Sequence, residues 1–539
     1  LDVSKLDFLK YITGTLSGSG DGGTGMHIQI DKNAPVPLYR QIVAEVRRLI
    51  DAGLLAAGTR LPSSRELAEQ LGVSRKTVVI AYQELIAERY LEGKPQSGTF
   101  VVDRTALAQL QGESRRSKGD TEKEKAVVSS MDWSPYQIPG HFFALPPQRK
   151  ATQQPNQPIS FIKAIPDSRL FPFEQIKQIT QQLLWDPKAF FFDYGHPQGY
   201  QPLVEYLEKK EALSSVPMAP GQNDVVVVSG FQQGLNLLTN LLLRPGDAVA
   251  VEMPTYADIL NLLIARRIPY FGVPVDANGM QVEKLPGLLK REHIRAIITI
   301  PTFHNPTGTV MPLGRREKLL EIATEHQLPV IEDDWAQDLR YEGSDVPSLK
   351  SLDKGANVIR LGSFSKVFLP GLRLAWITLP SESAVALVRM KRACDCGDSF
   401  FLQVIMHEFI LKGYLDKHLR RTRRIYKSRR DTLLEAMDDS FPKEITWTKP
   451  QGGFSLWVNL PPKLKSMALY HYCREKGVEF AVANFFWPGK SDAAGFRLSW
   501  SLLEEGEIID GIHRLGAALK EVLADPHLLD DLAKVYGEL

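Results

Sequence analysis

Across residues 38–52 apolar side chains recur at helical spacing (Leu38, Ile42, Val46, Leu49, Ile50) and the run closes at Gly53, which predicts an amphipathic helix. A second helix is predicted from just after Ser63 to Leu71-Gly72. A third opens at Ser74, a good N-cap, and is expected to turn Val78, Val79, Tyr82, Leu85 and Ile86 inward. Residues 89–93 and 98–102 then read as two short strands around a tight loop. The predicted order is helix, helix-turn-helix, two-stranded wing.

From residue 103 to about 159 the periodicity dissolves into a charged stretch over 111–125 and a Pro/Gln-rich one over 146–158, which predicts a linker, partly disordered. Beyond it strands alternate with helices. Short apolar runs at 225–229, 248–252, 296–300, 329–332, 358–361 and 375–378 are separated by helical patterns such as 231–243. That alternation predicts an α/β body, a mainly parallel sheet covered on both faces, with ligands at the carboxyl ends of its strands. A helix over 415–437 leads to a mixed segment, 445–535, read as a smaller α+β lobe. The expected division is an extension over 1–35, a winged helix over 36–102, a linker over 103–158, a large domain over 159–395 and a small one over 396–539.

At 539 residues the chain exceeds the roughly 250–300 at which a single core stops growing, so several domains are expected. A hydrophobic share of 43% and a charged share of 24% are those of an ordinary globular protein. The net charge of +2 supplies no global basic field, so nucleic-acid binding has to come from a local arrangement. Three cysteines are too few for a disulfide framework, and Cys394-Asp395-Cys396 lacks a second ligand pair, so no metal is expected. No apolar run approaches the ~20 residues that span a bilayer, and the first 25 residues lack the order of a secretory signal. Residues 13–25 read as disordered, Met26 is a candidate start, and the expected address is the cytoplasm.

Two motifs carry the chemistry. Gly362-Ser363-Phe364-Ser365-Lys366, followed by Pro370-Gly371-Leu372-Arg373, sets a lysine amine able to form a Schiff base beside the hydroxyls of Ser363 and Ser365, suited to a phosphate. Gly230-Phe231-Gln232 lies where a strand gives way to a helix, where backbone N–H groups also hold phosphate. Near the N-terminus, Ser74, Arg75, Lys76 and Thr77 form the first turn of the third helix, which in a winged helix faces base edges in the major groove. Lys94 and the turn at Gly98 would set the wing against the DNA backbone. Glu66, Glu69, Glu84 and Glu88 nearly balance the bases here, so the ordered motif carries more weight than charge.

With these motifs in place, residues 160–520 resemble a fold-type I aminotransferase and residues 36–102 a GntR-type winged helix. The combination, about four-fifths of the chain, resembles the MocR/GabR subfamily of GntR regulators. The resemblance implies pyridoxal 5'-phosphate held by Lys366 as an internal aldimine, its phosphate neutralised by Arg373. It places Asn305 on the ring hydroxyl, Tyr256 against the ring and Arg497 on a ligand carboxylate. Asp333 or its neighbour Asp334 would meet the pyridinium nitrogen, and the spacing to Lys366 favours Asp333. Arg65, opening the second helix, matches an arginine that the family uses at DNA. One departure stands out: Trp335 occupies the place of a tyrosine that donates to the ring oxygen, and an indole does not reproduce that bond at the same reach.

The resulting expectation is a cytoplasmic, homodimeric transcription regulator. It would bind a double-stranded DNA operator and sense a small amino compound by external aldimine formation. Two alternatives stay open: a working aminotransferase with a DNA-binding head, and a regulator whose effector is pyridoxal phosphate itself.

Overall fold

Three helices and a hairpin make up the N-terminal head: α1 (Leu38–Asp51), α2 (Ser64–Leu71), α3 (Arg75–Ala87), and the antiparallel strands β1 (Leu91–Lys94) and β2 (Gly98–Val101). In this computed structural model the residues described are 28, 31, 37–51, 55–87, 90–94, 98–102, 158–185, 190–214, 223–354, 357–462, 464–488 and 494–530. Met26, Gly53, Glu88, Arg89, nearly all of the extension and all but the last residue of the linker lie outside them. The chain divides into two compact units, residues 1–132 and 133–539.

The head's turns follow from local chemistry. Ser63 and Glu66 form a capping box, the Ser63 N–H donating to the Glu66 carboxylate at 2.7 Å. Gly72 closes α2 in the left-handed region at φ 59°, which a residue without Cβ adopts at least strain. The Ser74 hydroxyl accepts from the Thr77 N–H at 3.1 Å and starts α3. Ile42, Val46, Leu67, Val78, Ala81, Tyr82 and Leu85 form the core. Val79 is only half-buried and Ile86 is exposed, against expectation. The inward stripe runs 78, 81, 82, 85, and each of these two residues sits one position, about 100°, off it.

The second unit is built on an eight-stranded sheet. After β3 (Ile159–Ser160), its strands are β4 (Asn223–Val228), β5 (Ala248–Met253), β6 (Tyr270–Asp276), β7 (Gly279–Met280), β8 (Ile294–Thr299), β9 (Val330–Asp334), β10 (Val358–Ser363) and β11 (Ala375–Pro380). Their spatial order is β4-β11-β10-β9-β8-β5-β6-β7. Strands β6, β5, β8, β9 and β10 pair in parallel, while β11 runs against both of its neighbours. Strands β5 and β10 are buried at every position, the continuous apolar run expected of a sheet covered on both faces. The sequence reading did not anticipate β6: it holds a glycine and an internal proline, and near the sheet's edge most of it is only half-buried.

The smaller lobe carries β12 (Thr446–Trp447), β13 (Leu456–Asn459), β14 (Val478–Glu479), β15 (Ala481–Val482) and β16 (Gly495–Leu498). Four of these form an antiparallel sheet, β12-β13-β16-β15. Its limits differ from those drawn on the sequence. Strand β3 pairs with β14, which puts Phe161 in the small-lobe core rather than the large one. The larger core runs past residue 396 to Leu415, Leu419 and Tyr426, and the smaller begins at Leu433. All four lie on the 27-residue helix Tyr414–Ser440, about 40 Å long and able to serve both cores. Among the described residues no helix is long and apolar enough to cross a membrane.

Candidate functional site

Strands β4, β5, β8, β9 and β10 end on the same edge of the sheet, and the chemically active side chains follow those ends. Successive residues of a strand face opposite ways, so Asp333 is turned from Glu332 and Asp334. Glu332 accepts the N–H groups of Leu349 and Lys350 at 2.8 and 2.9 Å. Asp334 holds Arg360, whose Nε donates to it at 3.1 Å and whose Nη1 also reaches Glu211 at 2.6 Å. Asp334 is therefore engaged within the protein. Asp333 is buried, and its Oδ1 has no hydrogen-bond partner among the described residues. Burial, with Asp334 and Glu252 nearby, holds its carboxyl well above the usual range, and Lys366 opposes the shift.

Lys366 lies in the loop after β10, where its Nζ donates to the Ala164 carbonyl at 3.1 Å. Burial, then the positive charge of Arg497, brings its amine from 10.5 down to about 8, against the pull of Asp258 and Asp333. Arg497, on β16, is buried. It donates from Nη1 to Asn305 Oδ1 at 3.0 Å and from Nη2 to the Ile162 carbonyl, and its guanidinium lies 4.9 Å from the Phe486 ring centre. Its Nε has no partner among the described residues, and Asp258 is the carboxylate whose charge acts on it. Burial lowers its pKa to about 10.

A third group surrounds the start of the helix Phe231–Leu242. Gly230 caps that helix at φ 92°, and a Cβ there would stand 2.4 Å from Arg373 Nη2. Arg373 also reaches the Ser229 carbonyl at 3.4 Å. Ser363 Oγ accepts from the Ser365 N–H at 3.1 Å, while the Ser365 hydroxyl is buried without a partner among the described residues. The Tyr256 hydroxyl bonds the Asp258 carboxylate, its ring centre lies 6.3 Å from that of Phe231, and Gln232 Nε2 donates to the Asp258 carbonyl at 2.8 Å.

Residues 167–514 match the family model of aminotransferase class I and II, and residues 38–101 that of the bacterial regulatory proteins of the gntR family. The chain is 31% identical over 498 residues to the HTH-type transcriptional regulator YdfD of Bacillus subtilis, covering 91% of this chain and 98% of that one. It is 30% identical to the probable rhizopine catabolism regulatory protein MocR of Rhizobium meliloti, covering 91% and 95%. The chain belongs to the MocR-type transcriptional regulators. Its body is similar in structure to the kynurenine aminotransferase of Pyrococcus horikoshii, with a TM-score of 0.65 and 31% identity over 78% of this chain and all of that one. LysN, the alpha-aminoadipate aminotransferase of Thermus thermophilus, gives a TM-score of 0.64 and 31% identity, over 73% of this chain and 100% of that one. Aminotransferases of this class depend on pyridoxal phosphate, and a GntR head implies DNA binding.

In this MocR-type regulator Trp335 is buried beside the loop that carries Phe303. Its indole N–H is given to the Phe303 carbonyl at 3.1 Å and its ring packs near Phe454, so its donor serves the core. Several residues at the site carried no sequence signal. Ile162 and Ala164 follow β3, 335 residues from Arg497 and 202 from Lys366. Asp258 and Phe486 offer no motif, and only the fold brings them in. In the head, Arg65, Ser74, Arg75 and Lys76 are exposed. Thr77 is half-buried and its hydroxyl bonds that of Ser74 at 2.8 Å, which leaves Arg75 and Lys76 as the turn's long donors. Lys94 pairs with Gly98 across the hairpin, and the Gly98 backbone lies against Arg60.

Proposed function

We propose that this protein is a pyridoxal-phosphate-dependent regulator that senses an amino compound bearing a carboxylate and changes its grip on an operator in response. The observation that carries the reading is the neighbourhood of a lowered-pKa lysine, a buried carboxyl with an orphan oxygen and a buried guanidinium whose Nε has no partner among the described residues. The residues fit the cofactor. Among the described residues Asp333 Oδ1 has no partner and can accept a pyridinium N–H, the missing Cβ at Gly230 lets the Arg373 guanidinium lie against the start of the helix, where both would meet a phosphate, and Ser365 offers an unused hydroxyl. Bound there, pyridoxal phosphate supplies an aldehyde that exchanges the lysine amine for that of an incoming compound.

The chain's own groups do the rest. About a tenth of Lys366 is neutral at pH 7, several hundred times the share of an ordinary lysine, so the nucleophile is ready near neutrality. Asn305 spends Oδ1 on Arg497, which leaves its Nδ2 to donate toward a ring oxygen. Arg497, already desolvated, gains most from a carboxylate and would bind it through charge-assisted hydrogen bonds. That guanidinium favours an amino acid or similar compound over the cofactor alone as effector. Sensing is favoured over turnover because no phenol stands at Trp335. A second reading, an aminotransferase, is supported by the full set of Lys366, Asp333 and Asn305, and keto acid accumulating with excess amine would establish it.

A homodimer is supported by large aromatic residues left exposed between residues 173 and 194, which a second copy would cover: Trp185 at 86%, Tyr194 at 87%, with Phe173 and Phe192. Sedimentation equilibrium is expected to give twice the 60.4 kDa chain mass, and a concentration-independent monomer would exclude it. In the head, Arg75→Ala is expected to weaken binding to a selected operator by about 5- to 150-fold at fixed salt, the worth of one base contact. Because Arg75 is exposed and makes only a 3.3 Å bond to Ser64, its thermal stability should not change measurably. Unaltered operator affinity would remove Arg75 from the interface.

A further inference from the structure

We propose that the body holds a second small-molecule site, apart from the Lys366 cleft, that takes a planar aromatic carboxylate. A cavity of about 850 Å³ lies between the turn after β6, the loop 307–310 and strands β12 and β13 of the small lobe. None of Lys366, Asp333, Arg373 or Arg497 lines it. Its size falls within the roughly 300–1,000 Å³ typical of ligand pockets.

Its walls suit a flat ring. Trp447, Trp457 and Trp487 line it together. Trp447 is backed by Phe441 at 5.5 Å between ring centres and Trp457 by Phe486 at 6.0 Å, so these two indoles are braced from behind. Trp457 also lies over Gly495, where a Cβ would come within 2.6 Å of the indole. Such fixed aromatic faces stack on a ring with little ordering cost. The charges favour an anion. Asp276 is neutralised by Arg315 at 2.6 Å, whereas Lys449 is 63% exposed and its ion pair with Asp438 is a loose 3.7 Å. The Nε1–H of Trp447, one of the lining residues, is buried without an acceptor among the described residues, a donor left for a carboxylate.

The cavity shares two walls with the Lys366 cleft. Thr448 Oγ1 donates to the Thr307 carbonyl at 2.6 Å, two residues from Asn305, and accepts from the backbone N–H of Trp457 at 2.9 Å. Trp457 sits opposite Arg497 in the β13–β16 register. An occupant therefore bears on Arg497, which would receive the amino compound, and on the loop that carries Asn305, as coupling between two sites requires. The binding itself does not rest on pyridoxal phosphate.

Calorimetric titration of the full-length protein with benzoate, indole-3-acetate and quinoline-2-carboxylate tests the proposal. Saturable binding of at least one, one per chain, is expected. Lys449→Glu should weaken it tenfold or more, and Ala277→Trp, on the exposed turn at the cavity wall, should abolish it. Lys366→Ala should leave it unchanged. No saturable binding by any of the three overturns the site, as does binding that both cavity variants leave intact. Binding lost in Lys366→Ala would put the ligand in the cofactor cleft instead and would equally overturn it.

Discussion

Lys366→Ala is expected to remove the visible absorption band that the wild-type protein acquires with pyridoxal phosphate, and to leave operator binding deaf to every amine. The loss should be complete, because no other described lysine combines this burial with the Asp333 carboxyl as neighbour. The fold should survive. The amine makes one hydrogen bond, to Ala164, worth about 1 kcal/mol, and its protonated form is poorly solvated where it lies. The sign of the pH dependence follows. The folded pKa of about 8 lies below the unfolded value near 10.5, so between these the unfolded chain binds more protons and wild-type stability rises with pH. That rise should be missing from the variant, and cofactor uptake by the wild type should quicken from pH 6 to 9 as the amine becomes neutral. Denaturation and stopped-flow absorbance across that range check both, and a flat uptake profile would contradict the lowered lysine.

Arg497→Leu is expected to cut the affinity for the amino effector about 30- to 4,000-fold, while the cofactor is still taken up, more slowly near neutrality because the Lys366 amine loses a positive neighbour. Truncating one side of a buried, hydrogen-bonded charge pair costs about 2–5 kcal/mol. Leucine keeps much of the stem and relieves the burial of a guanidinium, so the lost bonds to Asn305 and Ile162 should cost stability no more than about 1–2 kcal/mol. A double cycle isolates the pair. The effector's analogue without its carboxylate should bind the wild type as weakly as the variant binds the effector, and the variant should bind both alike. An effector affinity unchanged by Arg497→Leu would mean that the guanidinium meets no carboxylate.

Local chemistry was legible along the chain, and pairing across it was not. The capping box at Ser63, the left-handed Gly72 and the start of α3 at Ser74 each depend on neighbours within a few residues, and the helix-turn-helix could be read from them. The lysine loop was legible for the same reason. The choice between Asp333 and Asp334 was left to spacing, because what commits Asp334 is Arg360, 26 residues away, itself held by Glu211 at a separation of 149. Likewise nothing near Trp335 announces that its N–H is taken by the Phe303 carbonyl, 32 residues back. Ile86 went wrong within a helix, where one step rotates a side chain off the buried face. Strand β3 was assigned to the wrong lobe because nothing in Ile159–Ser160 announces its partner, Val478–Glu479.

In the function proposed, Lys366 holds a cofactor so that the body reads an amine without consuming it. The most direct measurement is the visible spectrum of the wild-type protein beside Lys366→Ala, both supplied with pyridoxal phosphate and then titrated with amino carboxylates while keto acid is assayed. A band is expected in the wild type alone, altered saturably by an amino carboxylate with no keto acid accumulating. A wild-type protein that stays colourless, or one that steadily turns the amine into keto acid, would contradict it.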